Sequence, residues 1–171
     1  KSIESSHGQM NIESEEGVGT TIVISFPEAQ MPEWFVQKIV IHKQQKIVII
    51  DDDVTIHQAW QGRFDRLQDE VDLIKFSSAI AFENWFNTEK NQLPEATLFL
   101  FDYELLNQSL TGLDLIEKYQ LQNKSILVTS RYEELQIRAR AELLKLKIIP
   151  KGMVGFVAIE IVNLNPVIDD M

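Results

Sequence analysis

Acidic, hydroxyl and basic residues recur in this sequence at places where a folded sheet would gather them. Asp51-Asp52-Asp53 follows the apolar run 47–50, and Asp102 follows the run 97–101. Thr129-Ser130 follows Ile126-Leu127-Val128, and Lys151 follows Ile148-Ile149-Pro150. Carboxylates brought together repel and raise one another's pKa. A hard divalent cation with oxygen ligands relieves that repulsion, and Mg²⁺ suits few carboxylates, some water and a phosphate. A hydroxyl and an ammonium nearby would bind the remaining phosphate oxygens. A carboxylate is itself a competent nucleophile toward a phosphoryl group. Taken singly, each residue has a plainer role. Asp53 or Thr55 would cap a helix beginning near Ile56. Thr129 or Ser130 would serve a turn, and Lys151 would be a solvated charge. Their recurrence after successive strands is what makes a phosphoryl site the better reading.

The elements that must position these residues follow from apolar patterning. From Lys46 onward, apolar runs alternate with helical periodicity. Strands are predicted over 47–50, 71–76, 97–101, 126–128 and 148–149. Ile56, Trp60, Phe64 and Leu67 fall on one face of a first helix. Helices are also predicted over 79–87, around Leu113, Ile116 and Tyr119, and over 133–146. Continuous apolar strands alternating with helices imply an α/β fold, a doubly wound parallel sheet covered on both faces. In such sheets ligands bind beyond the carboxyl ends of the strands, where the residues above lie.

Residues 1–28 differ in pattern. Lys1 to Gly8 reads as the end of a helix with Gly8 as its C-cap. Strand-like stretches 9–14 and 20–26 flank Glu16-Gly17-Val18-Gly19, which predicts a hairpin ended by Pro27. Residues 29–45 read as a linker, although Trp34-Phe35-Val36-Gln37-Lys38-Ile39-Val40-Ile41 is too apolar for a free tether and is expected to lie extended on a surface.

Composition excludes several classes. A length of 171 residues fits one domain or one domain with an attachment. Sixteen Lys and Arg against 26 Asp and Glu give a net charge of −10, which argues against nucleic acid or an anionic membrane surface as partner. The absence of Cys excludes disulfide scaffolds, thiolate zinc sites and cysteine catalysis. No apolar run reaches the ~18 residues of a membrane span. The start Lys1-Ser2-Ile3, without Met or a signal peptide, reads as a piece of a longer polypeptide.

Residues 46–152 resemble the receiver domain of two-component response regulators. That family has an acidic pair after strand one, a phosphoaccepting Asp after strand three, Thr or Ser after strand four and Lys after strand five, at spacings close to those here. The resemblance implies a flavodoxin-like five-stranded sheet of order 2-1-3-4-5 over 46–171. It implies that Asp102 takes the phosphoryl group. It also implies that Asp52 binds Mg²⁺ directly, that Asp51 ligates through water, and that the backbone carbonyl of Glu104 adds a ligand. Thr129 would sense the phosphoryl group, Ser130 would help bind it, and Lys151 would pair with it. The sequence departs from the family at Gly152, where Pro is usual, and at Ile148, where an aromatic residue often acts as a switch. The β-branched run 154–162 also puts the fifth helix in question.

The segment 1–28 resembles the last helix turn and final hairpin of a histidine-kinase ATP-binding domain, with Gly17-Val18-Gly19-Thr20 matching its last glycine box. The order of the two pieces resembles a hybrid sensor histidine kinase, a cytoplasmic assembly whose full-length parent would be membrane-anchored in many members. The rest of the ATP site is absent, and His7, His42 and His57 fit no phosphoaccepting helix, so the chain is not expected to bind ATP. The implied partner is a phosphohistidine on a kinase core or phosphotransfer protein. Neither nucleic acid nor a membrane is expected to contact the chain. A homodimer through the hairpin is one arrangement that would cover it. Two other readings stay open. Asp51-Asp52-Asp53-Val54-Thr55, Thr129 or Ser130, Lys151 and Asp169-Asp170 match the motif order of haloacid-dehalogenase-type phosphatases, with Asp51 as nucleophile and Asp53 as acid/base. A pseudo-receiver that binds partners without phosphorylation is the other.

Overall fold

The computed structural model describes residues 3–28, 30–67, 71–106 and 108–162. The chain divides into two compact units, Lys1–Pro32 and Glu33–Met171. In the first, a single 3₁₀ turn Glu4–Ser6 ends at His7, whose φ of 54° is left-handed. The N–H of Gly8 closes the turn on the carbonyl of Ile3 at 2.9 Å. The capping conformation therefore falls on His7, one residue before the expected Gly8. Gly8 is required for another reason: a Cβ there would lie 2.6 Å from the ring of Phe26. Strands β1 (Gln9–Glu15) and β2 (Gly19–Ser25) pair antiparallel, with Met10 opposite Ile24 and Ile12 opposite Ile22. The turn between them places Gly17 at φ 79°, a conformation glycine adopts without steric cost.

The second unit carries β3 (Lys38–His42), β4 (Gln45–Ile50), α1 (Val54–Phe64), β5 (Val71–Phe76), α2 (Ala79–Glu89) and β6 (Leu98–Asp102). It continues with α3 (Gly112–Tyr119), β7 (Ser125–Thr129), α4 (Leu135–Leu143), β8 (Lys147–Pro150) and β9 (Ala158–Val162). Five parallel strands form the main sheet in the order β5-β4-β6-β7-β8, which is the 2-1-3-4-5 order of the receiver fold. Strand alternation sorts its side chains onto two faces. Val48, Ile50, Phe99, Phe101, Leu127 and Ile148 share a core with Phe82, Phe86, Leu113, Ile116, Ile137 and Ala141 of α2, α3 and α4. Ile47, Ile49, Leu100, Val128 and Ile149 share the opposite core with Trp60 and Phe64 of α1.

Among the described residues, that second face is completed by strands rather than by a fifth helix. After β8 comes only a 3₁₀ turn, Lys151–Met153, and then β9 pairs parallel with β3, Ile39 beside Ile159 and Ile41 beside Ile161. Ile39 and Ile41 are buried in the α1-side core with Val154 and Val157. Arg63 of α1 holds the incoming segment by donating to the carbonyls of Val154 and Val157. The apolar stretch around Trp34–Ile41 is thus extended, as expected, but its strand is half of a small second sheet. Within the stretch read as a linker, the chain from Glu33 onward belongs to the second compact unit. The Asp169-Asp170 pair of the phosphatase reading lies outside the described residues.

Candidate functional site

The carboxyl ends of β4, β6 and β8 meet at one rim of the main sheet. Asp51 and Asp102 are the first residue after β4 and the last of β6, and they are only 1% and 3% exposed. Lys151, directly after β8, lies between them. Its Nζ donates to Asp102 Oδ2 at 2.8 Å and to Asp51 Oδ1 at 3.0 Å. Asp52 joins them: carboxylate oxygens of Asp51, Asp52 and Asp102 lie within 4.8 Å of one another. Asp52, Asp102 and Lys151 border an open pocket of about 270 Å³ lined also by Asp53, Glu104, Leu106 and Ser130.

Local structure explains the placement. The peptide N–H of Asp53 donates to Asp51 Oδ1 at 2.9 Å, which fixes one carboxylate oxygen in the bend before α1. The N–H of Leu106 reaches Asp52 Oδ2 at 3.3 Å. Asp102 is set by α3, whose N-terminus approaches the β6 end closely. A Cβ on Gly112 would run into the backbone carbonyl of Asp102, so that position must be glycine. Thr111 caps α3 with a reciprocal capping box to Asp114, fixing this approach. Gly112 escaped the sequence reading; the Thr111-Gly112-x-Asp114 pattern is a capping-box signal that would have marked the helix start, though not its contact with Asp102.

The electrostatics are those of charged groups that are largely buried. Burial pushes the Asp102 carboxyl up to about 6, and the Asp51 charge adds to this. The hydrogen bonds from Lys151 and from the Glu104 backbone N–H pull the other way. Burial likewise raises the Asp51 carboxyl, against the opposing pull of the Asp53 N–H and Lys151. Burial alone would lower the Lys151 pKa; its bonds to Asp102 and Asp51 outweigh that and leave it raised. One ammonium therefore faces three carboxylates. Asp51 Oδ2 is buried and lies 3.0 Å from Lys151 Nζ, yet accepts no well-directed hydrogen bond. A surplus of close carboxylate oxygens, one of them unsatisfied, is a donor set that fits a hard divalent cation. Asp51, Asp52 and Asp102 would hold it.

The other expected site residues fall as follows. Ser130 lines the pocket, whereas Thr129 is buried at the end of β7 and its hydroxyl oxygen accepts from the Arg131 N–H at 3.0 Å. Glu104 borders the pocket, with its carboxylate 3.7 Å from the Arg131 guanidinium. Arg131 was not singled out by sequence. It lies over the Tyr103 ring at 5.2 Å and pairs with Glu134 at 2.5 and 2.7 Å, joining the loops that follow β6 and β7. Asp53, the acid/base of the phosphatase reading, is committed as the N-cap of α1. Its carboxylate accepts from both the N–H and the hydroxyl of Thr55, and these bonds hold its pKa down. The helix begins at Val54, leaving no insertion after the motif.

No family model and no curated protein matches the sequence. Solved structures do match. The response regulator RcsB of Salmonella typhimurium superposes with a TM-score of 0.52 at 16% identity, over 67% of this chain and 55% of that one. The non-phosphorylated receiver domain of RcsB from Escherichia coli superposes with a TM-score of 0.51 at 15% identity, over 66% of this chain and 86% of that one. The second unit thus has the fold of response-regulator receiver domains.

Proposed function

We propose that this chain is a phosphoacceptor receiver of a hybrid histidine kinase, taking a phosphoryl group onto Asp102 in a two-component phosphorelay. The observation that carries this reading is the convergence of Asp51, Asp52 and Asp102 within 4.8 Å with Lys151 bridging two of them. In the step, an Asp102 carboxylate oxygen forms a bond to phosphorus as the phosphorus–nitrogen bond of a phosphohistidine breaks. The imidazole leaves with the electron pair and takes up a proton. Lys151 stays beside the reacting oxygens and offsets their charge, while Ser130 offers a hydroxyl at the pocket wall and Thr129 a second one behind it. A bound Mg²⁺, held by Asp51, Asp52, Asp102 and the Glu104 carbonyl, would neutralise charge on the transferring group. Water later cleaves the acyl phosphate.

The kinase half of the proposal draws its support from residues 1–28, where a glycine-turned hairpin follows a short helical turn. In this reading 1–28 is the end of an ATP-binding domain, the phosphodonor is a phosphohistidine of the kinase core or of a phosphotransfer protein, and the assembly works in the cytoplasm. No helix among the described residues is long and apolar enough to cross a membrane.

The test is intact mass after incubation with Mg²⁺ and acetyl phosphate. One phosphoryl increment is expected in the wild type and in Asp53→Asn, and none in Asp102→Asn. Labelling that survives Asp102→Asn but is lost in Asp51→Asn would overturn the assignment in favour of the phosphatase.

A further inference from the structure

One edge of the main sheet is β8, and the chain covers that edge with its own earlier segment. Phe35 bridges Ile148 in parallel register. The Ile148 N–H donates to the Trp34 carbonyl at 2.7 Å, and the Val36 N–H donates to the Ile148 carbonyl at 3.1 Å. Lys147 Nζ donates to the Glu33 carbonyl. The Trp34 ring stacks on Tyr132 with centroids 6.0 Å apart and planes at 29°. The Arg138 guanidinium of α4 lies 5.1 Å from the same ring. A short stretch of backbone thus fills the free hydrogen-bonding positions of an edge strand, and one aromatic ring clamps it to the adjoining loop and helix.

The attachment points of this segment are also the approaches to the acidic pocket. Ile148, which it pairs with, lies in the strand that delivers Lys151. Tyr132, which Trp34 stacks on, lies in the loop that begins at Ser130. The turn carrying Lys151 is reached through β8, which the Trp34 carbonyl holds, and the loop carrying Ser130 through Tyr132, which the Trp34 ring holds. Lys151 divides its ammonium between Asp51 and Asp102 when no phosphoryl group is present. A phosphoryl group on Asp102 adds acceptor oxygens that compete for Lys151 and for the Ser130 hydroxyl, drawing both loops toward the pocket.

We propose that segment 33–36 is a strap whose hold on β8 and Tyr132 loosens when Asp102 carries a phosphoryl group, so that the state of the pocket changes how the preceding chain is attached. This rests on the phosphoacceptor reading above. It makes the segment leading into the receiver the element that leaves its docked position, and keeps the β8 edge closed to partners until it does. The coupling passes through contiguous contacts with two arrangements, docked and released.

Hydrogen exchange at the Val36 amide tests it, on full chain incubated with Mg²⁺ and acetyl phosphate, with the phosphoryl increment verified by mass in the same sample. Exchange at Val36 is expected to quicken about fivefold or more on phosphorylation, the lower end of ordinary coupling between sites. Exchange in Asp102→Asn is expected to stay at the unphosphorylated rate. Trp34→Leu is expected to exchange fast in both states. Tyr132→Ala, which leaves the Trp34 backbone in place, provides the same comparison if that variant does not fold. Unchanged Val36 exchange in chain that carries the increment would overturn the strap and leave the phosphoacceptor reading standing. Absence of any increment would overturn both.

Discussion

The interior of the main sheet and its carboxyl rim are built from the same strands, a few residues apart, and they act on stability in opposite directions. Inside, Phe82 touches the rings of Phe76, Trp85, Phe86, Phe99, Phe101 and Tyr119, all apolar or aromatic and none carrying charge. At the rim, the chain buries Asp51 and Asp102 beside a third carboxylate with a single ammonium to offset them. Removing atoms from the interior costs stability. Removing charge from the rim should restore some. The difference marks where the fold has been bent to a purpose other than holding itself together.

The largest effect expected on this contrast is Phe82→Ala, which empties a fully buried ring position and should destabilise the chain by about 3–5 kcal/mol in denaturant unfolding. An effect as small as that of a surface substitution would break the contrast from the interior side. Next is Gly112→Ala, at the junction of the two regions. The added methyl meets the Asp102 carbonyl, so destabilisation of about 1–3 kcal/mol is expected. It should be accompanied by weaker phosphorylation, because Asp102 has been displaced.

Smaller, and opposite in sign, is Asp102→Asn in the presence of a chelator. The Asp102 carboxyl titrates at about 6 when folded, against 3.8 as its ordinary value. Between these values the folded chain holds a proton that the unfolded chain releases, so stability falls as pH rises through the window and stays low above it. Asp102→Asn should therefore raise stability at pH 7.5 by on the order of 2 kcal/mol. The gain should vanish below about pH 3, where both states are protonated. A loss of stability at pH 7.5 on this substitution would erase the contrast from the rim side.

The two small sheets show why some of the molecule could be read from sequence and some could not. The β1–β2 hairpin is local: Gly17 and Gly19 at the turn and strand-like residues on each side announce it. The β3–β9 pair joins segments at opposite ends of the second unit, and parallel pairing leaves no turn to recognise. The apolar stretch 34–41 looked extended and the β-branched run 154–162 put a fifth helix in question, but nothing in either named the other as partner. At the site, Asp51, Asp52, Asp102 and Lys151 were readable because sheet topology alone carries residues after successive strands to one rim. Gly112 and Arg131 were not, because their roles depend on the approach of α3 to Asp102 and on the meeting of two loops. A short strand over 148–149 was foreseen and is observed as Lys147–Pro150, while its cover by Trp34 follows from a contact between distant segments that periodicity does not encode.

The most direct measurement of whether the rim is a cation-dependent phosphoacceptor centre is thermal unfolding with and without Mg²⁺ at pH 7.5, for wild type and Asp52→Asn side by side. A cation that binds only the folded chain stabilises it by about 2.7 kcal/mol at a hundredfold excess over Kd. The melting temperature of the wild type should rise by several degrees with saturating Mg²⁺, and that of Asp52→Asn should scarcely move. Equal behaviour of the two chains, whether both shift or neither does, would contradict a cation seat formed by Asp51, Asp52 and Asp102.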